Sequence, residues 1–320
     1  MMKFLPSMAV GWGDRIKISM FDLISMGEVM AEIRQSPEEG YQVGFAGDTF
    51  NTAVYCQRLL GLQGKVAYLT RVGADPLSQS WQAFAAAEEL DVSHVSVDAE
   101  ANLGIYSVST DTSGERSFHY WRDQSAARKL FKNDAEAIKI PPARVTYLSG
   151  ISLAILCASA RRRVMDYLAA ESKAGNTLVA FDSNYRPRLW ESEKVARSVM
   201  SEMWEIADIG LPSIDDERAL FADASDAKVI ERFAQREWVA CAIKRGEQGP
   251  VSPKLVNDLN LDFHPAINVV DTTAAGDSFN GGYLSAFLSG QPETECLQAG
   301  HDCASFVVGV RGAIAPATST

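Results

Sequence analysis

The sequence predicts an α/β fold: a doubly wound, mainly parallel sheet with helices on both faces and a small β-sheet lid. Three observations carry that prediction. Short apolar runs of strand length recur at residues 22–26, 66–72, 145–151, 177–182, 206–211, 238–244 and in the approach to Asp271. Stretches with helical spacing separate them, at 76–90, 158–174, 194–205, 215–222 and 225–236, and strands alternating with helices build a parallel sheet covered on both sides. Between residues 104 and 122 the pattern switches to alternation around a polar turn at 111–115, which marks a hairpin standing apart from the βα units.

Residues 22–26 (DLISM) are the first core strand, and 30–33 alternate as a strand that projects from the sheet. Glycines bend the chain through 43–53 (VGFAGDTFNTA) before Val54, Leu59 and Leu60 line a helix face. Asp48 and Asn51 fall at the start of that helix. There they serve either as caps, the commoner fate of these residues, or as ligands for the hydroxyls of a polyol. Residues 66–72 read as the second core strand and 76–90 as its helix, opened by Ser78 and Gln79, with Trp81, Phe84, Ala85 and Leu90 turned inward. The hairpin then hangs Tyr106, Tyr120 and Arg122 above the strand ends. One domain over 21–316 is expected, with the lid at about 28–48 and 103–122. In residues 1–20, Gly11, Gly13, Asp14, Arg15 and Lys17 break the apolar residues before a signal or membrane segment can form. That stretch is expected to be an extension, disordered or foreign to the domain, with Met20 as an alternative start.

With 320 residues, 47% of them hydrophobic, the chain has the apolar material for one large core. A formal net charge of -11 argues against nucleic acid or an anionic membrane as a partner, while leaving room for a local basic pocket. No run approaches the ~18 apolar residues of a spanning helix. Five scattered cysteines without a C-x-x-C pair argue against a disulfide framework or a zinc site, and for reduced thiols in a cytoplasm. The histidines have no ligand spacing. Walker, dinucleotide, zincin and nucleophile-elbow motifs are all absent.

In α/β sheets ligands collect at the carboxyl ends of strands, and the polar clusters of this chain follow such ends. The stretch 270–282 (VDTTAAGDSFNGG) reads as a strand end, a turn of small residues and a helix starting at Ser278. At the turn, the backbone N–H groups of Ala274, Ala275 and Gly276 can approach an anion that feels the helix dipole, and Asp277 can reach a hydroxyl beside it. Phosphoryl transfer to an alcohol needs that pairing of anion cradle and base; capping of the helix by Asp277 is the plainer alternative. The loop 182–190 (DSNYRPRLW) brings Arg186 and Arg188 to the same side of the sheet, where arginine suits a carboxylate or phosphate. After the next strand, Ser213 is placed to cap a helix, and Asp216 or Glu217 to hold a hydrated Mg²⁺. Lys244, Gly246 and Gly249 form a turn that is either merely tight or bare enough for a nucleotide to pass over.

Together these pieces resemble the PfkB, or ribokinase-type, carbohydrate kinases. DTTAAGD at 271–277 is similar to the family's C-terminal signature, and AGDTFNTA at 46–53 to its N-terminal glycine-rich motif. The resemblance runs from about residue 20 to 314. It implies a ribokinase-like fold, ATP and Mg²⁺ with a monovalent cation as a further expectation, and Asp277 as catalytic base. The anion hole falls to the N–H groups of Ala275, Gly276 and Asp277, with Ala274 nearby. Nucleotide contacts fall to Ser213, Lys244, Gly246, Gly249, Asp271 and Gly276, and metal contact to Asp216. Three features are similar to the branch of the family that phosphorylates 2-keto-3-deoxygluconate: the GFAGDTFNT run, Tyr106 with YWR at 120–122, and D-x-N-x-R-P-x-L-W at 182–190. They imply that Gly47, Asp48, Asn51 and Asn184 hold sugar hydroxyls, that Tyr106 and Tyr120 close over the sugar, and that Arg122 and Arg186 take its carboxylate. A homo-oligomer formed through the lid is also expected. Two departures stand out: the family's N-x-x-E motif maps onto Ser213–Asp216, and Ala274 occupies the usual central Gly of the signature.

Overall fold

The computed structural model describes residues 19–35, 40–110, 116–135, 137–255 and 263–317. Residues 1–18 of the extension expected at 1–20, and the hairpin turn at 111–115, lie outside them. The chain opens with β1 (Phe21–Met26), β2 (Met30–Gln35) and β3 (Tyr41–Ala46), then α1 (Asp48–Leu60), β4 (Val66–Leu69), β5 (Arg71–Gly73) and α2 (Pro76–Ala87). It continues through β6 (Ser96–Asp98), β7 (Gly104–Thr110), β8 (Arg116–Trp121), β9 (Ala143–Ser149), α3 (Gly150–Ala154), α4 (Ala158–Lys173) and β10 (Leu178–Asp182). The last part holds α5 (Glu193–Ile206), β11 (Ile209–Gly210), α6 (Ile214–Phe221), α7 (Asp226–Ala234), β12 (Ala240–Cys241), α8 (Ala275–Leu288) and α9 (Glu293–Val307).

The main sheet has the order β12-β11-β10-β9-β1-β4, with every pair parallel. Its strands bury both faces. Ile24, Met26, Leu148, Val179 and Phe181 face a core built with α4, α5, α6 and α7. Leu23, Val145, Tyr147, Ala180 and Ile209 face the opposite core with α1, α2, α8 and α9. Side chains alternate between faces at period two, so a strand that is apolar throughout must be covered on both sides. The lid is a separate sheet, β3-β2-β7-β8.

Several boundaries differ from the sequence reading. The run 66–72 breaks at Thr70: β4 joins the main sheet while β5 pairs with β6 in a sheet of its own. Helix α2 is opened by Asp75, whose Oδ1 accepts from the N–H groups of Leu77 and Ser78, with Pro76 in the first turn. Runs 206–211 and 238–244 shrink to the short strands β11 and β12. The expected strand before Asp271 is absent from the described residues: Ile267, Val269 and Val270 are exposed. The segment is pinned where Val270 and Asp271 donate to Val308 O. Helix α8 accordingly starts at Ala275, three residues before Ser278.

Candidate active site

The site forms where α1 and α8 cross at the carboxyl ends of β9 and β10. A Cβ at Gly281 would fall 2.6 Å from Tyr55 Cβ and 3.0 Å from Thr52 O, so a bare backbone there lets the two helices meet. Their closeness sets Asn51 Nδ2 to donate to Asp277 Oδ2 at 2.8 Å, and the Thr52 hydroxyl 3.0 Å from Asp277 O. Asp277, partly open to solvent in the first turn of α8, has its carboxyl pushed up to about 7. Burial is the main cause. The Asp48 and Asp182 carboxylates add to it, while Asn51 and Lys244 oppose it.

The N-cap of α1 is Gly47, so neither Asp48 nor Asn51 is the capping residue. Gly47 is there because a Cβ would fall 2.1 Å from Glu28 O. Asn51 Oδ1 instead accepts the Gly47 N–H at 3.3 Å. Asp48 turns into the cleft, where the Ser149 hydroxyl and Asn184 Nδ2 donate to its Oδ2. Burial raises its pKa, with the Ser149 bond opposing. Asn184 carries a positive φ of 29°, a conformation that costs energy and persists where surroundings over-determine it.

Asp271 is a backbone anchor. Its Oδ1 accepts from Thr273 N–H at 2.8 Å and its Oδ2 from Gly312 N–H at 2.7 Å. The turn it closes puts Ala274 in the left-handed region (φ 62°, ψ 15°) at the start of α8. The Ala275 N–H is engaged by Thr272 O at 3.3 Å, so it is not the open donor expected of it. The N–H groups of Gly276 and Asp277 find no acceptor among the described residues, and the α8 dipole adds to their pull on an anion.

The two arginines expected to hold a carboxylate are both engaged. Arg122 is buried in an ion pair with Glu28, which also takes the Ser125 hydroxyl. Its Nε is buried without a hydrogen-bond partner, and its guanidinium stands 5.9 Å from the Tyr120 ring. Arg186 is half exposed and pairs with Asp216 at 3.2 Å. Glu217 is no metal ligand. It is wholly buried, bonded to Trp204 Nε1 and Arg232, and burial pushes its carboxyl up to about 7. Ser213 sits at the start of α6 without a side-chain cap; its N–H donates to Ser183 Oγ at 3.1 Å. Tyr106 is buried with its hydroxyl on Glu32 Oε1 at 2.8 Å, while Tyr120 stacks on it at 5.8 Å and stays exposed. Gly246 and Gly249 both adopt positive φ in the turn after Lys244.

Sequence reasoning missed a buried polar network. Asp182 Oδ2 accepts from Lys244 Nζ at 2.7 Å and Asn280 Nδ2 at 2.6 Å, and Asn280 Nδ2 also donates to the Tyr147 hydroxyl at 3.0 Å. Its one sequence signal is Asn280, a polar residue among the apolar positions of α8.

A family model described as pfkB family carbohydrate kinase matches residues 17–320. The chain is 37% identical over 298 residues to the 2-dehydro-3-deoxygluconokinase of Dickeya dadantii (strain 3937), covering 91% of this chain and 96% of that one. It is 35% identical over 295 residues to the 2-dehydro-3-deoxygluconokinase of Haemophilus influenzae (strain ATCC 51907 / DSM 11121 / KW20 / Rd), covering 90% and 94%. Among solved structures, the fructokinase of Vibrio cholerae O395 in fructose, ADP and calcium ion bound form has the same fold, with a TM-score of 0.76 at 22% identity over 92% of this chain and 95% of that one. The chain belongs to the pfkB family of carbohydrate kinases.

Proposed function

We propose that the protein transfers the γ-phosphoryl group of ATP to the 6-hydroxyl of 2-keto-3-deoxygluconate. The observation that carries the chemistry is Asp277: a carboxylate bonded to Asn51 Nδ2, its pKa raised by burial, on the same helical turn as two open backbone N–H groups. The hydroxyl gives its proton to Asp277 as its oxygen bonds to the γ-phosphorus. The bond from that phosphorus to the ADP oxygen breaks, and the N–H groups of Gly276 and Asp277 take up charge on the phosphoryl oxygens. Identity of 35–37% to sugar-acid kinases over nine-tenths of the chain supports the choice of acceptor.

Asp48, Asn51 and Asn184 hold sugar hydroxyls in this reading, under Tyr106 and Tyr120. Arg122, with a buried donor to spare, takes the carboxylate; Arg186 joins it by exchanging Asp216 for substrate. The nucleotide lies across the Lys244–Gly249 turn. Its base enters a groove of about 550 Å³ lined by His264, Ile267, Asn268, His301 and Phe306.

Among the described residues no group of three or more His, Cys, Asp or Glu could hold a metal ion. Mg²⁺ bound mainly to phosphate and water asks for at most one or two carboxylates. Asp216, near Asp182 and Lys244, fits that lesser demand through water, and the ion would neutralise phosphate charge. A monovalent cation rests on the resemblance and on the potassium ion bound form of a structural neighbour, the fructokinase of Vibrio cholerae O395. The lid's edge strands expose Tyr41, Val43, Phe118, Tyr120 and Trp121, apolar surface suited to a second lid in a homodimer. No helix among the described residues is long and apolar enough to cross a membrane, and use of ATP suits a cytoplasmic protein.

The test is ADP formation with 2-keto-3-deoxygluconate and with fructose. A kcat/KM ~100-fold higher on the sugar acid is expected, because a neutral sugar forfeits the charge-assisted bonds to the two arginines and leaves the buried Arg122 Nε without an acceptor. Equal activity on fructose would remove the sugar-acid assignment.

A further inference from the structure

Three donors without a protein acceptor converge at the N-terminus of α8. Two are the N–H groups of Gly276 and Asp277. The third belongs to Lys244, whose ammonium spends one proton on Asp182 Oδ2 at 2.7 Å and one on Asn280 Oδ1 at 3.0 Å. Its remaining proton has no acceptor among the described residues. Lys244 Nζ lies 3.8 Å from the point a Cβ on Gly276 would occupy, and its side chain is only 11% exposed. A nearly buried cation with a proton to give, beside two open N–H groups, is built for negative charge that the protein itself does not supply.

We propose that Lys244 is a catalytic residue that takes up charge on the transferring phosphoryl group, and that Asp182 and Asn280 are positioning residues that aim it. The proposal rests on the kinase reading above and deepens it, from a lysine that lines the nucleotide turn to one that meets the reacting atoms. The proton of the acceptor hydroxyl goes to Asp277.

The clamp joins three separate elements. Asp182 ends β10 and Asn280 lies on α8 one turn beyond Asp277, so Asn280 ties the ammonium to the same helix that carries the open N–H groups. Asn280 Nδ2 also fixes Asp182 Oδ2 at 2.6 Å, and both side chains are buried. A lysine held this way has given up its rotamer freedom before substrate arrives. Asp182 and Lys244 act on Asp277 in opposite senses: the carboxylate raises its pKa and the ammonium lowers it.

That opposition distinguishes positioning from mere scaffolding. The experiment compares Lys244→Met, Asp182→Asn and the double variant with the wild-type enzyme, at saturating ATP with 2-keto-3-deoxygluconate varied around its KM at each pH. The double variant buries no lone charge, so it keeps the test open should Lys244→Met fold poorly. Variants lacking Lys244 are expected to lose ~10²–10³-fold in kcat, with KM for the sugar acid changed less than ~3-fold. The acid limb of kcat/KM moves to higher pH in Lys244→Met and to lower pH in Asp182→Asn. A folded double variant within ~3-fold of wild-type kcat overturns the proposal, as do acid limbs that move in the same direction. If wild-type enzyme phosphorylates no sugar acid, the functional reading fails on its own. Lys244 is then tested by calorimetric affinities for ATP and AMP: loss of ~10-fold or more of the preference for ATP in the double variant supports its placement, and an unchanged preference overturns it.

Discussion

Asn51 Nδ2 donates to Asp277 Oδ2 at 2.8 Å across 226 residues of sequence, joining the first helix of the domain to the helix that carries the proposed base. That bond favours the charged carboxylate, while burial and the Asp48 carboxylate hold the proton on it. Proton acceptance needs the ionised form. The kcat/KM profile is therefore expected to rise about tenfold per pH unit below about 7 and to level above it. Asn51→Ala removes the opposing bond and moves the limb to higher pH. An unmoved limb, read from initial rates between pH 5 and 9, contradicts the coupling.

Glu217 makes a separate prediction about stability. Its folded-state carboxyl is raised from 4.5 to about 7, so the folded protein holds a proton that the unfolded chain releases between those values. The resulting stabilisation is complete below pH 4.5 and is lost as pH rises through about 7. At 1.36 kcal/mol per pH unit, it amounts to roughly 3 kcal/mol. Glu217→Gln removes this dependence, so the difference in urea midpoint between wild type and variant should change between pH 5 and pH 8. A constant difference would count against a protonated Glu217.

Ala274 holds φ at 62°, a left-handed conformation, where the family signature usually carries glycine. A Cβ in that region costs roughly 1 kcal/mol, offset in part by the greater freedom of glycine in the unfolded chain. Ala274→Gly is expected to raise stability by ~0.5 kcal/mol with turnover unchanged. Ala274→Val is expected to lower both, because a β-branched residue resists this conformation and its strain would displace the N–H groups behind it. Thermal unfolding and steady-state rates read the two together.

Much of this was legible in order of sequence, and some of it could not be. Asp48, Asn51 and Asp277 lie in compact motifs whose small residues announce a close backbone approach. The alternating apolar runs located the strands because a two-sided parallel sheet leaves no polar face. The same logic failed before Asp271, where Ile267, Val269 and Val270 look strand-like but are exposed. The Asp182–Lys244–Asn280 network stayed hidden because Lys244 and Asn280 lie 62 and 98 residues from Asp182, and no local pattern joins them. Charge type likewise could not say that Arg122 is committed to Glu28 and Arg186 to Asp216.

The buried Arg122–Glu28 pair carries the fourth prediction. Glu28→Ala leaves the guanidinium buried without its partner, which typically costs ~3–5 kcal/mol. Arg122→Met with Glu28→Gln removes both charges and should recover much of that loss in denaturant unfolding. The double variant should nevertheless bind the sugar acid poorly, because Arg122 is assigned to its carboxylate. Full recovery of both stability and KM would assign Arg122 to the fold alone.

The most direct measurement is the rate of ADP formation by Asp277→Asn with 2-keto-3-deoxygluconate, alongside its unfolding midpoint and its affinity for ATP. With folding and nucleotide affinity retained, turnover should fall ~10²–10⁴-fold and lose its acid limb near neutral pH. Near-normal turnover by that folded variant would contradict Asp277 as the base.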